Sequence, residues 1–306
     1  MYKRQALDAG RKGDANAGQL LADQVNNIET PDIARASAIS GLSRYLDQAT
    51  FKVIQQGLID ENAMVRMASI GALEGLQAST LVQLVFPLLD DPVRSVRIEA
   101  ARVLAPVPVG QLQGNQLSIY NKAAGEYIES QTANAERPEA QLNLGNYYAA
   151  TGEVEKAEAA YNKAIQLEDV FMPAYVNLAD LYRMQEREAD AYNVLQKAKQ
   201  LAVDNADVHH ALGLLLVRQK KTDAALIELG IAASLAPENS RYIYVYAVAL
   251  NSTAKPDEAI EQLQIAHDRF PDNVEIIQTL ISFNRDAGNS FAAERYMKKL
   301  EQIERN

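Results

Sequence analysis

"PEAQLNLGNYYAATGEVEKAEAAYNKAIQLEDVF" (138–171) decides the fold, because four more segments of the chain repeat its pattern. From Pro138 to the end the chain divides into units of 34: 138–171, 172–205, 206–239, 240–273 and 274–306, the last short by one. Position 20 of every unit is alanine: Ala157, Ala191, Ala225, Ala259 and Ala293. Position 8 reads Gly145, Ala179, Gly213, Ala247, Ile281, and position 27 reads Ala164, Ala198, Ala232, Ala266, Leu300. Position 7 is Leu144, Leu178, Leu212, Tyr246 and Leu280, and position 24 is Tyr161, Leu195, Leu229, Leu263 and Met297. Small residues at 8 and 20 let two helices of one unit cross closely, and the larger ones fill the space around the crossing. The pattern therefore predicts five stacked helix pairs.

This order of small and large positions resembles the tetratricopeptide repeat. The resemblance implies an all-α, right-handed solenoid whose first helices (A) line a concave groove and whose second helices (B) face outward. Positions 2, 5, 9 and 12 are the expected lining. They place Leu142, Asn146, Val176, Asp180, Arg183, His210, Leu214, Val217, Arg241, Tyr244, Val248 and Asn251 in a partner-binding groove. Glu139, Ala149, Pro173, Asp207, Glu275, Gln278, Ser282 and Arg285 complete it. Its middle is apolar and its rim carries mixed charge, which suits an extended or helical peptide. Asn146 and Asn177 match two positions of the family's carboxylate clamp, but Leu142, Asp207 and Ala211 stand where basic residues are needed. An Asp there repels a carboxylate, so no such clamp is expected.

The N-terminal part has another period. "ARASAISGL" (34–42), "VRMASIGAL" (65–73) and "VRIEAARVL" (96–104) lie 31 apart, so that Arg35, Arg66 and Arg97 coincide, as do Leu42, Leu73 and Leu104. An acid precedes each arginine by six: Glu29, Asp60, Asp91. The pattern resembles HEAT-type helical repeats. Asp60 and Asp91 are expected as helix N-caps, with the arginine row pairing to the acids along the stack.

"PVPVG" (106–110) is the Pro/Gly cluster that could interrupt the stack. After it, stepping back 34 from Ala157 and Tyr161 lands on Ala123 and Tyr127 within "NQLSIYNKAAGEYIES" (115–130), so this stretch reads as half of a further unit that bridges the two repeat types. The expected organisation is HEAT-like repeats over 6–110, a bridging helix and loop over 111–137, and five tetratricopeptide-like units over 138–306. "YMKKLEQIERN" (296–306) reads as the last B helix, with a solvated outer face as a solenoid end requires.

Composition narrows the function. The chain has 306 residues and a net charge of −10, which argues against nucleic-acid phosphates as partner. It has no Cys, hence no thiolate nucleophile, no Cys-ligated zinc and no covalent haem attachment within this chain. No run of eighteen apolar residues occurs, so no membrane insertion is expected. Of three histidines, His209 and His210 are adjacent, about 100° apart on a helix, and cannot easily share one metal, while His267 lies far along the chain. "GRKGD" (10–14) lacks the Lys-Ser/Thr ending of a phosphate loop, and acid pairs such as Asp90–Asp91 read as caps rather than an acid–base dyad. No catalytic residue, metal site or cofactor is expected. Among the tyrosines, Tyr148, Tyr161, Tyr175, Tyr182 and Tyr246 fall at core positions, and Tyr244 faces the groove, either packing there or anchoring a partner.

The opening "MYKRQ" (1–5) translates GTG-TAT-AAG-AGA-CAG, which resembles the end of a transposon-derived sequencing adapter. On that reading the gene was cut upstream of Ala6, and no signal peptide is to be looked for at residue 1. "ALDAGRKGD" (6–14), then "ETPDIARASAISGLSRY" (29–45), then the HEAT-like and tetratricopeptide-like units, is similar to the C-terminal tail of bacterial multihaem c-type cytochromes. The resemblance covers essentially 6–306. It implies a periplasmic location, an upstream haem domain and a role in holding partners of electron-transfer complexes. Because the Cys-x-x-Cys-His motif is absent, it assigns no haem ligand to any residue here. The alternatives are a stand-alone adaptor in assembly or secretion, and a regulatory domain of an upstream enzyme.

Overall fold

The computed structural model describes residues 2–12 and 16–305. Met1, residues 13–15, Asn306 and the side chains of residues 2–4, 11, 12, 304 and 305 lie outside the described residues, so the readings of "MYKRQ" and of the end of "GRKGD" have no structural counterpart. The described residues form eighteen α-helices and two short 3₁₀ turns, with no strand among them. They divide into two compact units, 1–157 and 158–306.

In the first unit the helices are α1 (Tyr2–Lys12), α2 (Ala17–Asn26), α3 (Asp32–Leu42), α4 (Gln48–Gly57), α5 (Ala63–Ala72), α6 (Ala78–Val85), α7 (Arg94–Leu104), α8 (Gln116–Thr132) and α9 (Pro138–Thr151). Helices α3, α5 and α7 begin at 32, 63 and 94, which is the period of 31 expressed in backbone. Leu42, Leu73 and Leu104 are buried, and so are the small residues Ala38, Ser69 and Ala100, also 31 apart. The small row lets helices pack at short distance. At Gly57 a Cβ would stand 2.1 Å from the Ser69 hydroxyl oxygen, so α4 and α5 approach more closely than any other residue there permits.

The arginine row pairs along the stack, as expected. Arg66 binds both carboxylate oxygens of Asp91 at 2.8 and 2.9 Å, and its Nη1 donates to the Asp60 carbonyl at 2.7 Å. Arg35 pairs with Asp60. Arg97 pairs with Glu126 at 2.9 Å and donates to the Asp91 carbonyl at 2.8 Å. Arg66 and Arg97 thus take the backbone of their own turn and the carboxylate of the next, whereas Arg35 donates to the Val25 carbonyl at 3.1 Å and pairs with Asp32 as well as Asp60. The cap assignment is corrected: α5 is capped by Asn62, whose side chain accepts from Met64 N, and the residue before α7 is Val93. Asp60 and Asp91 sit two residues earlier and accept from the backbone N–H of Asn62 and Val93 at 2.9 and 2.8 Å. They fix the turn that enters the helix, because their second oxygen is committed to the arginine.

The "PVPVG" segment ends in a single 3₁₀ turn (Val109–Gln111) before α8. Ala123 and Tyr127 of α8 are buried. Tyr127 packs against Tyr147 of α9, with ring centroids 4.9 Å apart and planes tilted by 32°, and the Tyr147 hydroxyl lies 2.9 Å from that of Tyr120. Burial pushes the Tyr127 phenol up to about 12.

The division between the two units falls inside α10 (Val154–Leu167). The second unit continues with α11 (Met172–Met184), α12 (Glu188–Leu201), α13 (Ala206–Arg218), α14 (Thr222–Leu235), α15 (Ser240–Ser252), α16 (Pro256–Arg269), α17 (Val274–Asp286) and α18 (Ser290–Arg305). The A helices from α9 onward start at 138, 172, 206, 240 and 274, and the B helices at 154, 188, 222, 256 and 290, both with a step of 34. All five position-20 alanines are at most 2% exposed. At Gly213 a Cβ would meet Leu229 at 2.7 Å, so the α13–α14 crossing requires glycine. The turns repeat too: Gly152, Glu186, Lys220, Ala254 and Gly288 all have positive φ, 34 residues apart, although only two are glycine. Tyr148 and Tyr246, expected in the core, are half-buried and pack against its edge. Tyr148 lies under the Lys156 ammonium at 5.2 Å, and Tyr246 lies against the bare Cα of Gly230.

Candidate functional site

The second unit presents the A helices α11, α13, α15 and α17 side by side. Their starts differ by the repeat length, so equal positions on each form rows. Where α11 meets α13 the rows enclose a cavity of about 410 Å³. Val176, Ala179, Ala211 and Leu214 give it apolar walls, and Leu195 and Leu215 close it below. Leu214 remains 41% exposed, although Leu212 and Leu215 on the same helix are buried. Around the mouth stand Asp180, Arg183, Asp207, His210 and Tyr242.

The polar groups at the mouth are linked. Arg183 donates to Asp180 at 2.7 Å, one turn away on α11. Tyr242, at the start of α15, stacks on the His210 ring of α13 with centroids 4.2 Å apart, and its hydroxyl donates to the Asp207 carboxylate. Burial, and then the bond to Asp207, push the Tyr242 phenol up. Burial, and then nearby Arg241, push the His210 imidazole down, so the neutral ring is favoured. Its Nδ1 is shielded from water and has no hydrogen-bond partner.

Of the residues expected in the groove, Val176, Asp180, Arg183, His210 and Leu214 come together in this cavity. Tyr244, Val248 and Asn251 line a second hollow of about 400 Å³ between α15 and α17, with Gln278 and Ser282. Val217 is 47% exposed and Arg241 is exposed; they line neither space. Leu142 is half-buried and Asn146 exposed on α9, in the other compact unit. Asn177, Asp207 and Ala211, the three clamp positions of this unit, all border the first cavity. Tyr242 is the residue that sequence reasoning left unassigned. It sits at position 3 of its unit, and the signal for it was an aromatic placed to meet the position-5 histidine of the preceding unit.

His209, in contrast, is core. Its ring nitrogens lie 2.6 Å from Glu228 Oε2 and 2.9 Å from the Val203 carbonyl oxygen, and Lys199 binds the other Glu228 oxygen. Neighbouring histidines, about 100° apart, therefore serve different faces of one helix. Among the described residues no group of three or more His, Cys, Asp or Glu side chains is placed to hold a metal ion. No helix there is long and apolar enough to cross a membrane.

The family model of HEAT repeats matches residues 19–105, and that of the tetratricopeptide repeat matches 138–169. No curated protein matches the chain. Among solved structures, it is similar to PilF of Pseudomonas aeruginosa (22% identity, 56% of this chain and 77% of that one, TM-score 0.48). MamA from Desulfovibrio magneticus RS-1 is similar at 20% identity over 55% of this chain and 95% of that one, with a TM-score of 0.46. YrrB, described as a TPR protein with an unusual peptide-binding site, is similar at 22% identity over 58% of this chain and 92% of that one, with a TM-score of 0.44.

Proposed function

We propose that this chain, a protein of HEAT and tetratricopeptide repeats, is a non-catalytic scaffold that holds a partner segment in the groove of its A helices. The cavity between α11 and α13 carries the proposal. Its volume of about 410 Å³ falls in the range of specific ligand sites, its walls are mostly apolar, and its charged groups stand at the mouth. An aliphatic or aromatic side chain of a peptide fills such walls, while Tyr242, Asp207 and the Asp180–Arg183 pair fix the backbone that carries it. The second hollow, at Tyr244 and Val248, lies two helices further along the row and takes a later side chain of the same segment.

The test is a peptide selected on the full chain from a random library, with its affinity then measured on variants. Leu214→Glu and Val248→Glu each put a charge where an apolar contact is proposed and should weaken binding at least about tenfold; Tyr244→Ala should weaken it less. Unchanged affinity in both glutamate variants removes the groove from the function.

The wider setting follows from the resemblance of 6–306 to the tails of multihaem cytochromes: a periplasmic scaffold that follows a haem domain and brings electron-transfer partners to it. The order of repeats, HEAT before tetratricopeptide, supports this reading. The sequence upstream of Ala6 in the source genome tests it. Repeated Cys-x-x-Cys-His motifs sustain it; a catalytic domain or an ordinary nearby start replaces it with the regulatory or adaptor alternative.

A further inference from the structure

Helix α14 has no polar face. Its outward side carries Ala224, Ile227, Gly230, Ile231, Ser234 and Leu235, with Ile227 61% and Leu235 41% exposed. The buried carboxylate of Glu228 points inward, onto His209 and Lys199. A helix that is apolar all round is normally covered all round. The other B helices show what these positions hold when they face water. Where α14 has Ile227 and Ile231, α12 has Asn193 and Lys197, and α18 has Arg295 and Lys299. Helix α10 has Ala159 and Lys163 there, and α16 has Glu261 and Ile265, the latter 45% exposed, so α14 alone is apolar at both positions. Between α14 and α16 lies a hollow of about 600 Å³, floored by Tyr246 and bordered by Ile227, Ile265 and Arg269. Gly230 keeps it open, because a Cβ there would stand 3.2 Å from the Tyr246 ring.

We propose that this face, on B helices and apart from the A-helix groove, is a self-association surface on which two copies of the chain pack α14 against α14, antiparallel. Two features select a second copy as the occupant. Protrusion and hollow adjoin on the same face, so a two-fold axis near Ile231 turns each Ile227 toward the hollow of the partner. The end charges are also complementary. The stripe itself is uncharged, Asp223 stands at its N-terminal end and Arg269 borders its C-terminal end. Antiparallel packing sets each Asp223 opposite the partner's Arg269, twice per dimer. The size of the face sets the strength. A helix of 14 residues is about 21 Å long, and two adjacent helices span about 20 Å, or about 400 Å² per copy. That is below a standard interface, so the dimer is weak and reversible.

Sedimentation velocity of the full chain, from micromolar to roughly 500 µM, should show a monomer–dimer equilibrium. Ile227→Glu alters a mostly exposed side chain and should raise the dissociation constant at least about tenfold with an unchanged far-UV spectrum. Asp223→Arg should also weaken the dimer, and Asp223→Arg with Arg269→Asp should restore it. The chain has no cysteine, so Ile231→Cys would carry a unique thiol at the axis and should form a disulfide-linked dimer on oxidation. A chain that stays monomeric throughout overturns the proposal. So does a dimer indifferent to Ile227→Glu, or an α14 face protected only when an unrelated protein is added. Because the groove is on other helices, failure here leaves the peptide-binding test untouched, and the reverse holds as well.

Discussion

Arg66 and Asp91 form a bidentate pair 25 residues apart, with side chains only 10% and 5% exposed. Desolvating two charges is costly, and removing one partner strands the other in a low-dielectric site. Asp91→Asn should therefore destabilise the first unit by about 3 kcal/mol in urea unfolding. Arg94, whose bond to Glu129 is largely solvated, gives the contrast: Arg94→Ala should cost less than about 0.5 kcal/mol. Equal effects of the two would show that the row does not act as a buried ladder.

The α13–α14 crossing is set by a missing atom. Gly213→Ala would place a Cβ 2.7 Å from the Leu229 side chain and 3.2 Å from its backbone nitrogen. The side chain can turn aside, but the backbone cannot without parting the helices. A loss of about 1–3 kcal/mol in thermal or chemical unfolding is expected. Gly125→Ala, at a helix position open on all sides, should be neutral or slightly stabilising.

Three of the five left-handed turns bear a side chain they would be better without. Ala254 has φ 60°, Lys220 58° and Glu186 61°. Ala254→Gly should stabilise the second unit by about 0.5 kcal/mol, the relief of strain outweighing the freedom gained by the unfolded chain. Gly152→Ala, at φ 80°, should cost about 1 kcal/mol. A loss on Ala254→Gly, read from its melting midpoint, would contradict the strain.

Burial of His210 depresses its imidazole pKa from 6.5, with Arg241 adding to the effect and Asp207 opposing it. The unfolded chain then binds more protons than the folded one just below pH 6.5. The stability from the neutral ring is full above that value and is lost as pH falls through the lowered pKa. His267 shares the direction, again chiefly through burial, so the single-site effect must be read as a difference. His210→Gln should flatten the fall in melting temperature between pH 7.5 and 5.5 relative to the parent chain. A parallel curve would show that the His210–Tyr242 stack tolerates the charge.

The sequence carries most of the second unit openly. An alanine at the same place in all five units predicted the crossings, and the helix starts follow its period without slippage. The features it hid are those where one backbone shape is served by unlike residues. Glu186, Lys220 and Ala254 occupy the turn that Gly152 and Gly288 occupy, so no glycine signal marked it. Asp60 and Asp91 look like caps by type, but a carboxylate shared with an arginine sits better two residues before the helix. Tyr242 escaped because its role depends on the ring of the neighbouring unit, which a single-unit pattern does not contain. The groove residues were legible as a row, but the row closes into two separate hollows, since Val217 and Arg241 point past both.

The third rung of the arginine row ends on Glu126, and Glu126 belongs to α8, after the Pro/Gly segment where the repeat type changes. A chain cut at residue 110 would leave Arg97 without its carboxylate and α7 without the neighbour that covers it. Helices α7 and α8 are therefore joined by a charge pair as well as by packing, a splice rather than a seam.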